Sequence, residues 1–397
     1  MDKTLNGIKV AVGVTGCIAA YKAVEVVSRL KKKGADVRVV MTKSAREFVG
    51  PLTFGTISKN KVICDMFELP DYSEVEHISM ASWADVFLVC PATANIIGKV
   101  ASGIADDFLS TTIMAAKVPV IFAAAMNNNM YDNPIVQENI AKLKKYGYCF
   151  IDPDEGSLAC GTVGKGRLAD YDKITDVVEY HAYKNKDLLG KKVLVTAGPT
   201  AEKIDPVRFI TNHSSGKMGY AAAKAAKLRG AQVTLISGPV NIKPFTDIDV
   251  IYVNSAQEMY DAVTASSDDA DIIIKAAAVA DYKPLNIAEH KIKKTGDMSI
   301  ALTRNPDILN ELGKKKQNQI LVGFCMETKD LIANAEKKLK SKNLDFIVAN
   351  DLSREGAGFK TDTNIVTIID KKGQKTSIDM MSKEDIAHII LDKCVQM

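Results

Sequence analysis

Leu189-Gly-Lys-Lys-Val-Leu-Val-Thr-Ala-Gly-Pro-Thr200, followed closely by Asn212-His-Ser-Ser-Gly-Lys-Met-Gly219, decides the fold class. Val193 to Ala197 is an apolar run that spells a buried strand, and an Ala-rich helix is expected from Tyr220 to Leu228. Between them lies a loop of small and polar residues. Strand, loop and helix in that order let backbone N–H groups and a helix N-terminus hold a phosphate. A nucleotide-type fold therefore begins near residue 188. It echoes the beginning of the chain, where Leu5-Asn-Gly-Ile-Lys-Val10 leads into Ala11-Val-Gly-Val-Thr-Gly16 and another helix. Both helices close with a Gly-Ala pair, Gly34-Ala35 and Gly230-Ala231, that feeds a second strand. The expectation is an α/β protein of two Rossmann-like domains with mainly parallel sheets, 1–187 and 188–397.

A chain of 397 residues is long enough for two full cores, and 47% apolar with 25% charged residues excludes disordered and fibrous classes. The net charge of +4 is small, and the basic runs Lys31–Lys33, Lys291–Lys294 and Lys314–Lys316 alternate with acidic segments. No nucleic-acid face is evident, and anionic small molecules fit better. Seven cysteines, an odd count with no C-x-x-C pair, argue against a disulfide framework or a zinc site and for a reducing cytoplasm. Met1 to Asn6 is polar, no signal peptide is expected, and no apolar run is long enough to span a bilayer.

In the first half, Ile8–Val14, Asp36–Met41, Asp85–Cys90 and Val118–Ala123 are strand-like, and a helix is expected from Thr15 to about Lys33. Strands this apolar, separated by helices, imply a parallel sheet covered on both faces, with ligands at the carboxyl ends of its strands. Thr15, Thr42, Thr93, Asn95 and Asn127 stand at those ends. An NAD fingerprint needs G-x-G-x-x-G and an acidic residue closing the second strand, whereas this chain has Gly13-Val-Thr-Gly16 and Met41-Thr42. A mononucleotide phosphate is the better reading, with Thr15, Thr42 and Ser44 hydroxyls as donors; a plain βα turn is the bland one.

His77, in Ser73-Glu-Val-Glu-His-Ile-Ser79, decides nothing by itself, because a lone histidine is commonly a structural hydrogen-bonder. Asp152 to Arg167 is different. Four glycines surround Cys160 with no hydrophobic period, which spells a mobile loop carrying a thiol. Either a flap delivers Cys160 to a site, with Arg167 available for an anion, or the thiol is simply exposed on a surface loop. Residues 168–187, rich in charge, serve as the expected connection between domains.

With Gly13-x-Thr-Gly-x-Ile-Ala19, Pro91-Ala-Thr-Ala-Asn95, Ala125-Met-Asn-x-x-Met130 and Ala159-Cys-Gly-x-x-Gly-x-Gly-Arg167 in this order, the first half resembles the flavin-dependent decarboxylases that act on 4′-phosphopantothenoylcysteine. The second half carries Asp205-Pro-Val-Arg-x-Ile-x-Asn-His-Ser-Ser-Gly-Lys-Met-Gly219, Ala278-Val-Ala-Asp281 and Lys291-Ile-Lys-Lys294, and resembles phosphopantothenate–cysteine ligase. Together they match the bifunctional bacterial enzymes of coenzyme A synthesis over nearly the whole chain. Two departures stand out: Ala124 where the family usually has Pro, with Tyr131 where Trp is frequent, and Cys17 in place of Gly or Ser.

For the first half the resemblance implies FMN, with contacts at Gly13, Thr15, Gly16, Cys17, Thr42, Thr93 and Asn95. His77 matches the active-site histidine, Asn127 the asparagine that holds the substrate carboxylate, and Cys160 the proton-donating cysteine. These types suit the reaction. Oxidation of the cysteine C–S unit to a thioaldehyde-like electron sink allows CO2 to leave, and hydride return then needs a proton on the other carbon, which a thiol under a closed flap supplies.

In the second half, strands are expected at Asp271–Ala277, Leu321–Phe324 and Asp345–Ala349, with a late hairpin around Asp370-Lys-Lys-Gly373. Making an amide from an acid needs an activated carbonyl, cations and Mg2+ over the phosphates of a nucleotide, and donors at the attacked carbon. By resemblance Lys291, Lys338 and Lys342 contact the nucleotide, Lys291 assists formation of an acyl-cytidylate, and Asn212 supports attack by the cysteine amine. Ala277, Asp281, Phe324 and the turn Pro306, Asp307, Ile308, Leu309 match nucleotide contacts. The bland readings are a solvated helix face for Lys338 and Lys342, four apart, and a helix cap on Ser214 or Ser215 for the Asn212 loop. The resemblance further implies CTP as the nucleotide, trimers of the flavin domain within a dodecamer, and paired ligase domains. A nicotinamide oxidoreductase and a non-catalytic flavin-binding regulator are the competing functions; retention of both His77 and Cys160 argues against the second.

Overall fold

The computed structural model describes residues 3–67, 75–157, 161, 163–294, 297–327, 330–351 and 361–397. The chain falls into two compact units, Met1–Lys184 and Asn185–Met397.

In the first unit, strands β1 (Lys9–Val14), β2 (Asp36–Met41), β3 (Val86–Ala92), β4 (Val120–Ala124) and β5 (Cys149–Ile151) form one sheet in the order β2-β1-β3-β4-β5, every neighbour parallel. Parallel strands need crossovers, and helices α1 (Ala20–Lys32), α2 (Pro51–Ser58), α3 (Glu76–Trp83), α4 (Ala94–Ala101), α5 (Phe108–Ala115), α6 (Asn128–Tyr131), α7 (Pro134–Lys145) and α8 (Tyr171–Ala182) cover the two faces. The alternation of side chains along β1 sorts them. Val10, Val12 and Val14 join Ala23, Val27 and Leu30 of α1 and Ile174 and Val178 of α8 in one core, while Ala11, Phe87 and Phe122 face α3, α4, α5 and α7 in another. Gly34, at φ +95°, supplies the left-handed turn that ends α1 and starts β2.

Three expectations differ from the fold. Residues 168–187 are not a free connection, because α8 docks in the first core with its buried Glu179 paired to Lys33 at 2.9 Å. The glycine-rich segment is not wholly loop. Strands β6 (Asp154–Ser157) and β7 (Val163–Arg167) pair antiparallel, and Cys160, in the sequence between them, lies outside the described residues. The first helix also starts at Ala20 rather than Thr15, leaving 15–19 as an irregular loop over the strand ends.

In the second unit, β8 (Lys192–Ala197) leads into a small antiparallel pair, β9 (Ala201–Lys203) and β10 (Phe209–Thr211), before α9 (Lys217–Leu228). Strands β11 (Gln232–Ser237) and β12 (Asp249–Tyr252) precede helix α10 (Ala256–Ser267) and strand β13 (Ile272–Lys275). A second pair, β14 (Tyr282–Pro284) and β15 (Leu302–Arg304), leads to α11 (Ile308–Lys315), β16 (Ile320–Glu327), α12 (Leu331–Ser341) and β17 (Phe346–Asp351). The hairpin β18 (Thr363–Asp370) and β19 (Lys375–Ser382) and helix α13 (Lys383–Val395) finish the chain. Among the described residues the main sheet runs β12-β11-β8-β13-β16-β17-β18-β19, parallel as far as β17 and antiparallel beyond. Val193 and Val195 face α9 and α13, whereas Leu194 faces α10, α11 and α12.

Helix α9 can lie close on β8 because it is built of alanine and because residue 219 is glycine. A Cβ on Gly219 would stand 2.5 Å from Ala197 Cβ and 2.8 Å from the Thr196 carbonyl oxygen. The cap of α9 is Gly216 at φ +79°, with no side-chain capping bond, so neither Ser214 nor Ser215 fills that role.

Candidate active sites

In each sheet the chain order reverses beside the first strand, between β1 and β3 in the first unit and between β8 and β13 in the second. The loops leaving the carboxyl ends of the flanking strands diverge there and open a crevice for a ligand.

At the first reversal Thr15, buried, donates from Oγ1 to the Pro91 carbonyl at 2.7 Å and stands 3.4 Å from Thr93 Oγ1. Thr93 caps α4, and Thr42 caps the 3-10 turn Lys43–Glu47, its N–H held by Val14 O at 3.0 Å. Thr15, Thr42 and Thr93 thus gather around the end of β1, while Asn95 is exposed on the first turn of α4. The glycines are there because the neighbouring chain leaves no room for a Cβ. A Cβ on Gly16 would be 2.4 Å from Ser44 Cβ and 2.9 Å from Ser44 C, and one on Gly13 would meet Leu109 Cδ1 at 2.4 Å. A bare backbone loop, clustered hydroxyls and the N-end of α4 at a strand-order reversal fit the phosphate end of a flavin mononucleotide.

On the α1/α8 face, an adjoining cleft of about 720 Å³ is lined by Cys17, Tyr21, Lys22, Asn127, Arg167 and Tyr171 among others. Burial pushes the Cys17 thiol up, opposed by the Ala19 N–H and the Lys22 charge, so it faces the cleft as a neutral thiol. Burial, reinforced by the Arg167 charge, lowers Lys22, with Asp154 and Cys17 opposing. Two cations over an apolar cleft suit an anionic substrate. Asn127 caps α6, its Oδ1 accepting from Asn129 N at 2.9 Å. His77 is not in this lining. It sits on α3, which covers the other face of the sheet, edge-on to Phe108 with ring centroids 6.4 Å apart.

In the second unit a pocket of about 420 Å³ opens at the carboxyl ends of β13 and β16. It collects Ala277, Asp281, Pro306, Asp307, Ile308, Leu309, Phe324, Lys338 and Lys342, drawn from four stretches of sequence. Asp307 caps α11 through Asn310 N at 2.9 Å and receives a short bond from Lys342 Nζ, while Lys338 Nζ donates to Phe324 O at 3.1 Å. Burial is the largest influence on Asp307 and raises it, but the bond from Lys342, the Asn310 N–H and the Lys342 and Lys338 charges together outweigh it, so its carboxyl lies below the usual range. Lys338 on α12 and Lys342 just past its end therefore turn inward and are not a solvated face.

Asn212 and Lys291 lie outside that lining. Asn212 Nδ2 donates to Ala278 O at 3.0 Å, which ties the loop before α9 to the segment after β13. Lys291 is exposed, but its neighbour Ile292 is held through Asp205 Oδ2 at 3.2 Å and Arg208 Nη2 at 3.3 Å. Sequence reasoning missed Lys275, the last residue of β13, which also lines the pocket. The available signal was a lysine ending the run Ile272-Ile-Ile274.

Two doubly wound sheets, each with a strand-order reversal and a cationic cleft at its carboxyl edge, define an α/β protein with two separate mononucleotide-type sites. Residues 1–182 match the Flavoprotein family, and residues 188–397 match the DNA/pantothenate metabolism flavoprotein C-terminal domain. The Coenzyme A biosynthesis bifunctional protein CoaBC of Bacillus subtilis (strain 168) is 52% identical over 393 residues, covering 98% of this chain and 97% of that relative. The protein of the same name from Borreliella burgdorferi is 48% identical over 396 residues, covering 98% and 99%. A crystal structure of the C-terminal domain of a CoaBC protein is 43% identical, covering 54% of this chain and 98% of that one, with a TM-score of 0.47. The chain belongs to the family of bifunctional coenzyme A biosynthesis proteins. Among the described residues no helix is long and apolar enough to cross a membrane.

Proposed function

We propose that the second unit couples cysteine to 4′-phosphopantothenate, consuming CTP through an acyl-cytidylate, and that the first unit decarboxylates the resulting 4′-phosphopantothenoylcysteine to 4′-phosphopantetheine with FMN. The chain is a bifunctional enzyme of coenzyme A biosynthesis, a decarboxylase and a ligase. The observation that carries the assignment of sites is the pocket that draws Ala277, Asp281, the 306–309 turn, Phe324, Lys338 and Lys342 together from distant segments.

At the first site Thr15, Thr42, Thr93 and the loop at Gly13 and Gly16 would hold FMN, with Cys17 and Asn95 beside it. When bound, the flavin supplies two-electron oxidation of the substrate cysteine and its reversal. Asn127 orients the substrate carboxylate, Arg167 and Lys22 attract its negative charge, and Cys160 delivers the final proton. His77 is held on the opposite face, so assembly of the flavin units into trimers, themselves grouped in a dodecamer, offers it a route to the cleft of another copy. At the second site Lys338 and Lys342 hold the triphosphate, with Mg2+ neutralising part of its charge. Lys291 assists formation of the acyl-cytidylate, Asn212 supports attack by the cysteine amine, and the ligase units pair.

Cys160→Ser is expected to retain flavin absorbance and pyrophosphate release while CO2 release falls by about 10²-fold or more, the contribution of a positioned proton donor. Normal CO2 release by that variant would remove Cys160 from the mechanism. Parallel assays with CTP and ATP decide the nucleotide, and a colourless protein that takes up no added FMN would sink the first-site reading.

A further inference from the structure

Lys275 is a buried, ionisable pocket residue for which the proposed reaction has no assigned use. It ends β13, between Thr196 of β8 and Gly323 of β16 in register, and is only 8% exposed. Among the described residues its Nζ makes neither a hydrogen bond nor an ion pair. A buried ammonium without a partner is unfavourable, so a lysine kept in such a place needs either to be neutral or to receive a partner from outside. The groups facing it are Asp307 at the N-end of α11, Lys338 of α12 and Lys342 just past its C-terminus, with Asp281 and Arg304, the last residue of β15, also lining the pocket. Asp307 is already engaged by Lys342, and Lys338 by the Phe324 carbonyl. What remains is an amine aimed into a pocket, next to a second lysine whose charge it repels, at the start of a helix.

We propose that Lys275 contacts a phosphate group of the bound nucleotide, facing Lys338 across it, and takes up one proton from solvent as that group arrives. An anion between two lysines turns their repulsion into attraction for both. Burial, and next the Lys338 charge, hold the amine down at about 7, with Asp307 opposing, so much of it is neutral at physiological pH before ligand arrives. Anion binding favours the ammonium form and raises its pKa, so affinity is greatest below about 7 and falls with rising pH by up to about tenfold per unit until the raised pKa of the complex is passed. The inference rests on the nucleotide reading of this pocket.

Isothermal titration of the full-length protein with CTP and Mg2+ at pH 8, in buffers of different ionisation enthalpy, counts protons taken up per nucleotide bound. Wild type is expected to take up a large fraction of one proton, and Lys275→Met to take up that much less and to bind CTP on the order of 10- to 100-fold more weakly, the loss of one charge-assisted bond. Tripolyphosphate, which has no base, is expected to lose affinity in the variant to the same degree. Equal proton uptake and equal affinity in the two proteins would overturn the assignment, as would a loss for CTP that tripolyphosphate does not share. The melting temperature of the ligand-free variant separates a merely structural role: replacing an unpaired buried amine with an apolar chain of similar length should leave it unchanged or raised, and a drop with unaltered affinity would count against the proposal. If wild type binds no CTP at all, it is the nucleotide site itself that falls.

Discussion

Gly166→Ala is expected to lower CO2 release by about a hundredfold or more while pyrophosphate release stays at the wild-type rate. A Cβ there would stand 2.2 Å from the Met126 carbonyl oxygen, 3.2 Å from Asn128 N and 3.4 Å from Asn127 C. These are backbone atoms and cannot swing aside. The Gly166 carbonyl also accepts from Met126 N at 3.1 Å, so β7 is seated directly on the turn that presents Asn127. The added methyl has to part the two, shifting Arg167 and the rest of β7 against Asn127. Displacements near 1 Å in a catalytic constellation cost about 10²-fold in rate. Gly50→Ala serves as the control, because a Cβ on Gly50 meets nothing within 4 Å. Flavin absorbance, CO2 release and pyrophosphate release, measured on the same preparations, separate the outcomes. Wild-type decarboxylation in Gly166→Ala would show that the seat of the hairpin does not matter.

That hairpin also shows where sequence reading stops. Asp154-Glu-Gly-Ser157 and Val163-Gly-Lys-Gly-Arg167 contain one apolar side chain between them, so no period-2 signal exists to find. The strands form through main-chain pairing and a close approach that only glycine permits, both invisible to hydrophobic patterning. Helix α8 was hidden differently. Asp170, Asp172, Asp176 and Glu179 gave 168–187 the look of a linker, but Ile174, Val178 and Ala182 recur on one face and are buried, while Lys33 neutralises Glu179. The strands β1, β2, β8, β11, β16 and β17, by contrast, were plain from their apolar runs, because a sheet buried on both faces leaves little choice of residue.

The second site is partly legible for the same reason. The carboxyl ends of β13 and β16 could be located from the runs that precede them, and the residues just beyond them were the ones to examine. The inward turn of α12 was not legible, since Lys338 and Lys342 four apart in a lysine-rich helix are what a solvated face also presents. It is the strand order that places α12 over the carboxyl edge. Lys275 was lost because it fell inside the expected strand Asp271–Ala277, where nothing in the pattern tells a lysine buried between β8 and β16 from one at the sheet's wet edge.

Asp205→Ala is expected to cut ligation by about a hundredfold or more with flavin content and CO2 release from supplied 4′-phosphopantothenoylcysteine unchanged. The Asp205 carboxylate is buried and accepts from Val207 N at 2.9 Å, Arg208 N at 2.8 Å, Arg208 Nε at 2.9 Å and Nη2 at 2.6 Å, and Ile292 N at 3.2 Å. The Arg208 guanidinium, helped by those N–H groups against the cost of burial, holds the carboxyl far below the usual carboxylate range. The clamp is therefore fully charged across the working range and weakens only in strong acid, when the pH falls through that depressed value. Its effect is to join the Asp205–Arg208 turn to the segment carrying Lys291, two pieces of chain that no strand connects. Alanine leaves three N–H groups without their acceptor and the Arg208 guanidinium without its carboxylate, so the Lys291 segment loses its charged clamp and is left with the Arg208 Nη2 bond to Ile292 O and the main-chain bond from Ala288 N to Ile204 O. Most of the pocket stands on other elements, so CTP should bind with only modest weakening while kcat for pyrophosphate release collapses. Asp205→Asn, which keeps the shape and one acceptor oxygen but loses the charge, should fall between the two. Titration with CTP and turnover assays on both variants give that split, and an alanine variant that ligates at the wild-type rate would show that Lys291 needs no such anchoring.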